Sequence, residues 1–257
     1  MTDELSVFSK AIFATAVCVG VLAFSGPAAA APESLREGLF GPRPAEGRQF
    51  AAPPIARYVS QDGDSFTLDR TQPKPLLKFD NSMEVIVLQP QPAPRGDVIY
   101  KNDLGEPVLR ATRLGGVTIF TDQRPEGSAA ALAGVGNPLR ITVMSAQALL
   151  ERLGQASFRA SRAARRLMVF EAPNIKATSF TLIGDAAMIA SEAVVRISRR
   201  PDGNRVLSKF NTIRLIEGRK VGAEVTKGTM QITVAPAQGL AGRPSSERLV
   251  AVATNAR

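Results

Sequence analysis

The chain has 257 residues, a net charge of +9, no histidine, no tryptophan and a single cysteine, Cys18. Without histidine it cannot form a Ser-His-Asp or Cys-His catalytic group, or histidine-ligated zinc, copper or haem sites. It also contains no Walker loop and no dinucleotide-binding glycine motif placed between a strand and a helix. We therefore assign no catalytic residue, no metal site and no cofactor from the sequence.

Residues 1–30 have the pattern of a cleaved signal peptide. Lys10 precedes the apolar run Ala11–Phe24, and Ser25, Gly26 and Pro27 end that run. Small alanines follow, so we place the cleavage after Ala30. The alternative is a retained membrane anchor, but a spanning helix needs about 20 apolar residues and this run is shorter. Cleavage would leave a periplasmic or secreted chain without Cys18 and without a transmembrane helix.

The region after the leader divides into a linker and a strand-rich unit. Residues 31–55 are rich in Pro, Gly, Ala and Arg and carry no sustained period, which predicts a flexible linker. In residues 56–144, short β-branched or aromatic runs alternate with turn formers, which predicts an antiparallel meander. We predict a loop at Pro125–Asn137. The predicted strands are Phe66–Leu68, Glu84–Leu88, Asp97–Tyr100, Val108–Thr112, Val117–Thr121 and Leu139–Val143.

Residues 145–257 form a second, basic unit with helical periodicity. Apolar residues recur every three or four positions from Ala146 to Leu167, which predicts a helix with Ser145 as its N-cap. A second helix is predicted from Asp185 to about Arg196, the alternative being a strand at Ala193–Arg199. That strand would turn at Pro201–Asn204 into a strand at Arg205–Phe210. The remaining predicted elements are strands at Leu167–Phe170, Ile213–Ile216 and Met230–Val234, followed by a Gly/Pro/Ser-rich tail.

The predicted fold class is α+β, with an antiparallel strand-rich N-terminal part followed by a helix-and-strand C-terminal part. The net charge is also distributed unevenly along the chain. Residues 31–149 carry no net charge, whereas residues 150–257 carry a net charge of +10. The partner of the basic half should therefore be sought among anionic molecules.

Four arginines lie on one face of the first predicted helix. Arg152, Arg159 and Arg166 are seven residues apart, and Arg162 falls beside them. They are either a solvated helix face or a cationic binding surface. In an exported protein such a surface would meet lipid headgroups, lipopolysaccharide or peptidoglycan, or another envelope protein. We expect no nucleic-acid partner, because no nucleic-acid-binding motif is present.

A second polar group lies in the strand-rich unit. If the three strands between Asp97 and Thr121 pair in sequence order, Asp97, Asp103 and Glu106 can meet Arg95, Arg110 and Arg113. Such a cluster is either a set of cross-strand ion pairs or a polar recognition groove.

Carboxylates are the remaining catalytic or cation-binding groups. Two of them could act as the acid and base of a glycosidase, and neighbouring ones could bind calcium. The alternative assigns each to a turn, where it bonds its own backbone. The glycosidase candidates are Asp69, Asp80, Asp97, Asp103 and Glu106, and the calcium candidates are Asp62 and Asp64.

Two segments carry a resemblance to a known family. They are PLLKFDNSMEVIVLQPQPAPRGDVIYKNDLGEPVLRATRLGGVTIF at Pro75–Phe120 and AGRPSSERL at Ala241–Leu249. The chain resembles an uncharacterised family of exported alphaproteobacterial proteins, a domain of unknown function, over most of its mature length. The resemblance implies a location in the cell envelope and no specific activity.

The sequence favours a non-enzymatic binding or scaffolding protein of the cell envelope. The first alternative is a carboxylate-dependent hydrolase that acts on an envelope glycan, with Asp97, Asp103 or Glu106 as catalytic candidates. The second is a structural subunit of a larger assembly, which a large exposed apolar patch would favour.

Overall fold

The computed structural model describes residues 52–140 and 142–256. The predicted signal peptide and nearly all of the predicted linker lie outside the described residues. The described chain begins with a strand-rich part and continues with helices and a small sheet. This order confirms the predicted α+β class. The proposed division between residues 144 and 145 into two units stays a prediction.

The N-terminal part is one sheet of nine antiparallel strands in the order β4-β3-β2-β1-β9-β8-β7-β6-β5. Only Leu88 separates the two outer strands, β4 and β5, along the chain, so the sheet curls until its two ends meet there. Leu88 is fully buried, and its N–H donates to the carbonyl of Pro75 at 2.8 Å. The strands are β1 Ile55–Ser60, β2 Ser65–Asp69, β3 Leu76–Phe79, β4 Ile86–Val87, β5 Gln89–Pro92, β6 Val98–Lys101, β7 Pro107–Ala111, β8 Val117–Thr121 and β9 Arg124–Val135.

Alternation along the strands builds the core of this sheet. In β1, Ala56, Tyr58 and Ser60 are buried while their neighbours are more exposed. Tyr58 stacks on Phe66 with ring centroids 5.4 Å apart, a geometry that adds to the stabilisation from buried apolar area. The other buried apolar residues of this core are Leu68, Leu77, Leu88, Tyr100, Val108, Leu109, Val117 and Ile119.

The C-terminal part covers a four-stranded sheet with helices. The sheet order is β10-β11-β13-β12, in which β11 is parallel to both of its neighbours and β12 is antiparallel to β13. The elements are α1 Ala146–Ala164, β10 Val169–Glu171, α2 Phe180–Ser198, α3 Gly203–Leu207, β11 Phe210–Glu217, β12 Gly222–Thr226, β13 Gly228–Val234 and α4 Ser246–Asn255. Short 3-10 turns lie at Pro94–Gly96, Ala177–Ser179 and Pro236–Gly242.

The first helix has the predicted start. Ser145 is its N-cap, and the serine hydroxyl accepts from the N–H of Ala148 at 3.2 Å. The helix buries Leu149, Leu153 and other members of the predicted stripe. Helix α2 is more apolar and lies in the centre of this part, with a majority of its residues buried. The periodicity prediction is confirmed for both helices.

Several elements differ from the prediction. The predicted loop at Pro125–Asn137 is mostly the long strand β9, and the predicted strand at Leu139–Val143 has no regular structure in its described residues. Helix α2 begins at Phe180, so its predicted first residue, Asp185, lies inside the helix. The predicted Gly/Pro/Ser-rich tail contains helix α4.

The reason for the difference at β9 lies in its neighbouring strands. The small residues of β9 suggested flexibility, yet a Cβ at Gly127 would come within 2.5 Å of Thr118 and 2.8 Å of Phe120 on the neighbouring strand. Close packing therefore favours glycine at this position. The alternative strand at Ala193–Arg199 is wrong because α2 continues to Ser198, and Arg205–Phe210 begins within α3, not in a strand.

Candidate functional site

The two parts of the fold meet at the N-terminus of helix α4. Ser245 caps the helix by accepting from the N–H of Arg248 at 3.0 Å. The carboxylate of Asp103, in the turn between β6 and β7, accepts from the Ser245 hydroxyl at 2.6 Å and from its N–H at 3.1 Å. The guanidinium of Arg248 donates to the same carboxylate at 2.9 Å. Asp103 therefore ties the strand-rich part to the last helix.

A second carboxylate contacts the same helix end. Glu84, just before β4, accepts from the N–H of Ser246 at 2.9 Å and from its hydroxyl at 2.5 Å. Both residues are buried. Negative charge at a helix N-terminus is favourable because the first N–H groups lack partners within the helix. We name Glu84, Asp103 and the start of α4 the polar seam.

Asn102 holds two further carboxylates together. Its side-chain nitrogen donates to Glu106 at 2.9 Å and to Glu247 at 2.6 Å, and its oxygen accepts from the N–H groups of Leu104 and Glu106. Asn102 is almost completely buried. Because the same nitrogen contacts Oε2 of both glutamates, those two oxygen atoms lie no more than about 5.5 Å apart, close to the separation of about 5–5.5 Å between the carboxyl groups of retaining glycosidases.

Burial raises the pKa of Glu247 above the ordinary glutamate value. The charge of Arg196 and the hydrogen bond from Asn102 lower the pKa, while the nearby Glu84 and Asp122 raise it further. Burial outweighs the arginine because desolvation disfavours the ionised carboxylate. Glu247 thus holds a proton more readily than an ordinary glutamate does.

These residues line a cleft of about 790 Å³ between the curled sheet and the helices. It contains more negative than positive groups. Arg159 pairs with Glu192, and Arg196 lies 3.4 Å from Asp122 and 3.5 Å from Glu247. The charged residues of this acidic cleft are Asp64, Glu84, Glu106, Asp122, Glu192, Glu247, Arg159 and Arg196, and Phe79, Met83, Ile86, Val108 and Phe120 are among its apolar residues.

The polar cluster expected from the sequence is divided into two places. Strands β6, β7 and β8 pair in sequence order, as predicted. Asp97 accepts from the Arg110 guanidinium at 2.9 Å and from the Arg113 backbone N–H at 3.2 Å. The Arg110 hydrogen bond lowers the pKa of Asp97. Asp103 and Glu106 lie instead at the polar seam and the acidic cleft.

The four predicted binding arginines have different surroundings. Arg159 pairs with Glu192 beside the acidic cleft, and Arg166 donates to the carbonyls of Leu207 and Phe210. Arg152 lines a neighbouring groove, and Arg162 is exposed. Anion binding by this face stays a prediction. Arg152 and Arg162 are its candidate residues, because neither forms an ion pair among residues 52–140 and 142–256.

The other predicted carboxylates have structural partners. Asp62 pairs with Arg124 at 3.0 Å, and Asp80 pairs with Arg57 at 2.6 Å. Asp69 is fully buried and accepts hydrogen bonds from the next turn. Within the described ranges, no three carboxylates cluster in a way that could hold a metal ion.

The sequence reasoning missed Asn102, Ser246 and Glu247, and it used Glu84 only as a strand residue. A helix-start signal was available for α4, because Pro244 and Ser245 precede an acidic residue and an apolar run. No sequence signal pairs that helix with Glu84. Both segments that carry the family resemblance contribute to the polar seam.

The structure contains no helix among its described residues that is long and apolar enough to cross a membrane. Comparison of the whole chain with curated proteins and with solved structures finds no significant match. A family model does match residues 34–253, which covers the two sheets, helices α1 to α3 and most of α4. The chain therefore belongs to the family described as a domain of unknown function, DUF4908.

Proposed function

We propose that the protein is an exported, non-enzymatic binding protein of the cell envelope, and that its ligand occupies the acidic cleft. The observation that carries the proposal is the cleft itself, a concave space of about 790 Å³ with polar and apolar walls. Ligand sites have this size and this mixture of groups. The export component rests on the leader pattern of residues 1–30.

The charge of the cleft favours a positively charged ligand. Six carboxylates face two arginines, and the buried Glu84 is already bound to Ser246. Glu106 is exposed and Glu247 is partly exposed, so both carboxylates remain accessible to an added cation. An ammonium group there would replace the repulsion between the two carboxylates with attraction.

The apolar wall adds a requirement on the ligand. Phe79, Met83 and Phe120 line the same cleft, and the side chain of Met83 is exposed. A ligand with an amine and an apolar portion would cover this surface while it neutralises the carboxylates. An aliphatic amine or the side chain of a basic peptide has this chemistry.

Titration calorimetry with decylamine tests the proposal. Decylamine should bind, and the double variant Glu106→Gln, Glu247→Gln should weaken binding about a hundredfold or more, because it removes two charge-assisted hydrogen bonds of about 1.5–3 kcal/mol each. Glu126→Gln is the matched control, because Glu126 is an exposed carboxylate outside the cleft. Decylamine binding that is absent, or unchanged in the double variant, would overturn this assignment.

Binding should also weaken as the pH falls. The raised pKa of Glu247 means that this carboxylate takes up a proton before an ordinary glutamate does. A protonated Glu247 no longer attracts an ammonium group. Calorimetry over a pH series should therefore show lower affinity at acidic pH in the wild type and a flatter profile in Glu247→Gln.

The export component has its own test. The protein, expressed with a C-terminal tag, should be recovered from the periplasmic or secreted fraction with a new N-terminus after Ala30. Recovery from the cytosol with Met1 intact would contradict it.

A carboxylate-dependent glycan hydrolase is the second candidate. The observation that favours it is the pair Glu106 and Glu247 on one amide, with the pKa of Glu247 raised as for a catalytic acid. Release of reducing sugars from peptidoglycan should then occur and should be lost in Glu247→Gln. Asp97 and Asp103 fit this role less well, because Arg110 and Arg248 occupy their carboxylates.

A further inference from the structure

We propose that a second cavity, the basic groove formed around Lys78, Arg140 and Arg152, binds an anionic group that is attached to a hydrocarbon chain. The groove has a volume of about 680 Å³ and lies beside β3, between the segment that follows β9 and helices α1 and α2. It differs from the acidic cleft in the sign of its charge. The two cavities share only residues 81–83 of their linings.

The three cations of the groove form no ion pair among the described residues, and only the buried Asp69, which interacts electrostatically with Arg140, offsets part of their charge. The two carboxylates of the groove already have other partners, since Asp80 pairs with Arg57 and Asp185 pairs with the buried Arg243. Within the described parts of the chain, Lys78, Arg140 and Arg152 form no ion pair. Three cations that converge on one cavity raise the local concentration of anions.

The segment that carries Arg140 is anchored at both ends. On one side the buried carboxylate of Asp69 accepts from the N–H of Leu139 at 2.9 Å. On the other side the N–H of Met144 donates to the hydroxyl of Thr181 on helix α2 at 3.1 Å. Residues 139–140 and 142–144 have no regular structure, and these two hydrogen bonds nevertheless give Arg140 a defined position.

Arg152 is held by close packing of helix α1 against α2. Gly184 of α2 lies under Met144 and Arg152, and a Cβ at that position would come within 2.8 Å of the Met144 sulfur and 3.5 Å of the Arg152 Cγ. Glycine therefore lets both side chains approach the α2 backbone. The arginine stem packs on the helix while its charged end remains at the groove.

Apolar side chains in the groove indicate the second half of the ligand. Met83 and Val143 line it with 55% and 92% exposure, and Met144 and Met188 line it as well. Methionine side chains adapt to irregular hydrocarbon surfaces. An anion without an apolar portion would leave Met83 and Val143 in water, whereas an alkyl phosphate or an anionic lipid would cover them.

Fluorescence or calorimetric titration of the full chain with dodecyl phosphate below its micelle concentration tests the proposal. We expect dodecyl phosphate to bind and inorganic phosphate to bind at least tenfold more weakly. Dodecyltrimethylammonium supplies the same chain with the opposite charge, and any binding of it in the acidic cleft should be unchanged in Arg140→Gln. Lys78→Gln and Arg140→Gln should each weaken dodecyl phosphate binding about tenfold, the equivalent of one charge-assisted hydrogen bond.

Two controls make the result specific to the groove. Arg162→Gln removes an exposed cation of helix α1 outside the groove and should leave the affinity unchanged. Glu247→Gln alters the acidic cleft and should also have no effect, so this result is independent of the proposed function. Equal weakening by Arg162→Gln and Arg140→Gln would indicate diffuse charge and overturn the proposal.

The source of the anion is distinguished in a second arm. Sedimentation with phosphatidylglycerol vesicles that is lost in Arg140→Gln would place the headgroup of a membrane lipid in the groove. Binding of dodecyl phosphate without vesicle sedimentation would identify a free amphiphile instead. Equal affinity for inorganic phosphate and dodecyl phosphate, or unchanged affinity in a folded Lys78→Gln, Arg140→Gln double variant, would refute the site.

Discussion

Replacement of Glu84 by alanine should strongly destabilise the protein. The change removes the acceptor of two hydrogen bonds from Ser246, so the buried N–H and the hydroxyl proton lose their acceptor, although the hydroxyl oxygen still accepts from Arg196 at 2.9 Å. Each orphaned buried donor costs about 1–3 kcal/mol, so we expect a loss of about 2–6 kcal/mol in the free energy of unfolding. Domains of this kind have about 5–15 kcal/mol in total, so the loss is easily measured. Glu84→Gln retains one acceptor oxygen and should cost less.

Two spectroscopic probes report on the two parts of the fold separately. The chain has two tyrosines and no tryptophan, and both Tyr58 and Tyr100 lie in the core of the nine-stranded sheet. Every described helix from α1 to α4 lies in the C-terminal part. Tyrosine fluorescence therefore follows the sheet during urea unfolding, while far-UV circular dichroism follows the helices. In the wild type the two transitions should coincide, because the polar seam joins the parts.

In Glu84→Ala the transitions should shift to lower urea and separate. Glu126→Ala is the control, because its carboxylate is exposed and away from the polar seam. A surface change of this kind alters stability by no more than about 0.5 kcal/mol. If Glu84→Ala matched Glu126→Ala in both transitions, the assignment of the polar seam as a stabilising contact would be wrong.

Three further changes test other parts of the structure. Glu247→Gln should leave the free energy of unfolding equal or higher at neutral pH. The pKa of Glu247 is raised in the folded protein, so its stabilising contribution is present when the carboxyl is protonated and is lost as the pH rises through the folded-state pKa. The difference from wild type should vanish in urea titrations below about pH 4, where the carboxyl is protonated in both the folded and the unfolded state. Burial raises the pKa of Asp69, but hydrogen bonds from the adjoining turns outweigh it and the net shift is downward. Asp69→Asn should therefore cost about 1–3 kcal/mol at neutral pH and progressively less as acid protonates the wild-type carboxylate, and an equal cost at all pH values would contradict this account. Gly203→Ala would place a Cβ 2.2 Å from the carbonyl oxygen of Ile197 and should lower the free energy of unfolding by about 1–3 kcal/mol in thermal unfolding experiments. Its control is Gly154→Ala, in open space on helix α1, which should be neutral or stabilising.

Elements with a strong local signal could be predicted from the sequence. Helix α1 has a continuous apolar stripe and a serine cap, and both are present in the structure. Strands β6, β7 and β8 alternate with tight turns, and their order follows from those turns alone. In these places the residues that determine an element lie within the element itself.

Elements that depend on distant contacts could not be predicted. Strand β9 is formed from small residues with weak strand propensity, and it is stabilised by pairing with β1 on one side and β8 on the other. The candidate site depends on an even longer separation, because Glu84 and Ser246 are 162 residues apart. A single sequence gives no signal for such a contact. The acidic cleft could be found only after the two parts were placed together.

The way the nine-stranded sheet curls limits which parts of it can recruit another polypeptide. An open sheet leaves rows of unpaired N–H and C=O groups on its outermost strands, which can template intermolecular β-pairing and aggregation. In this protein one short stretch, Ile86–Pro92, supplies both outermost strands and brings them together at Leu88. Pro90 and Pro92 also remove two of the donors that a foreign strand would need. The sheet should consequently stay monomeric at concentrations at which a flat sheet of the same size would associate.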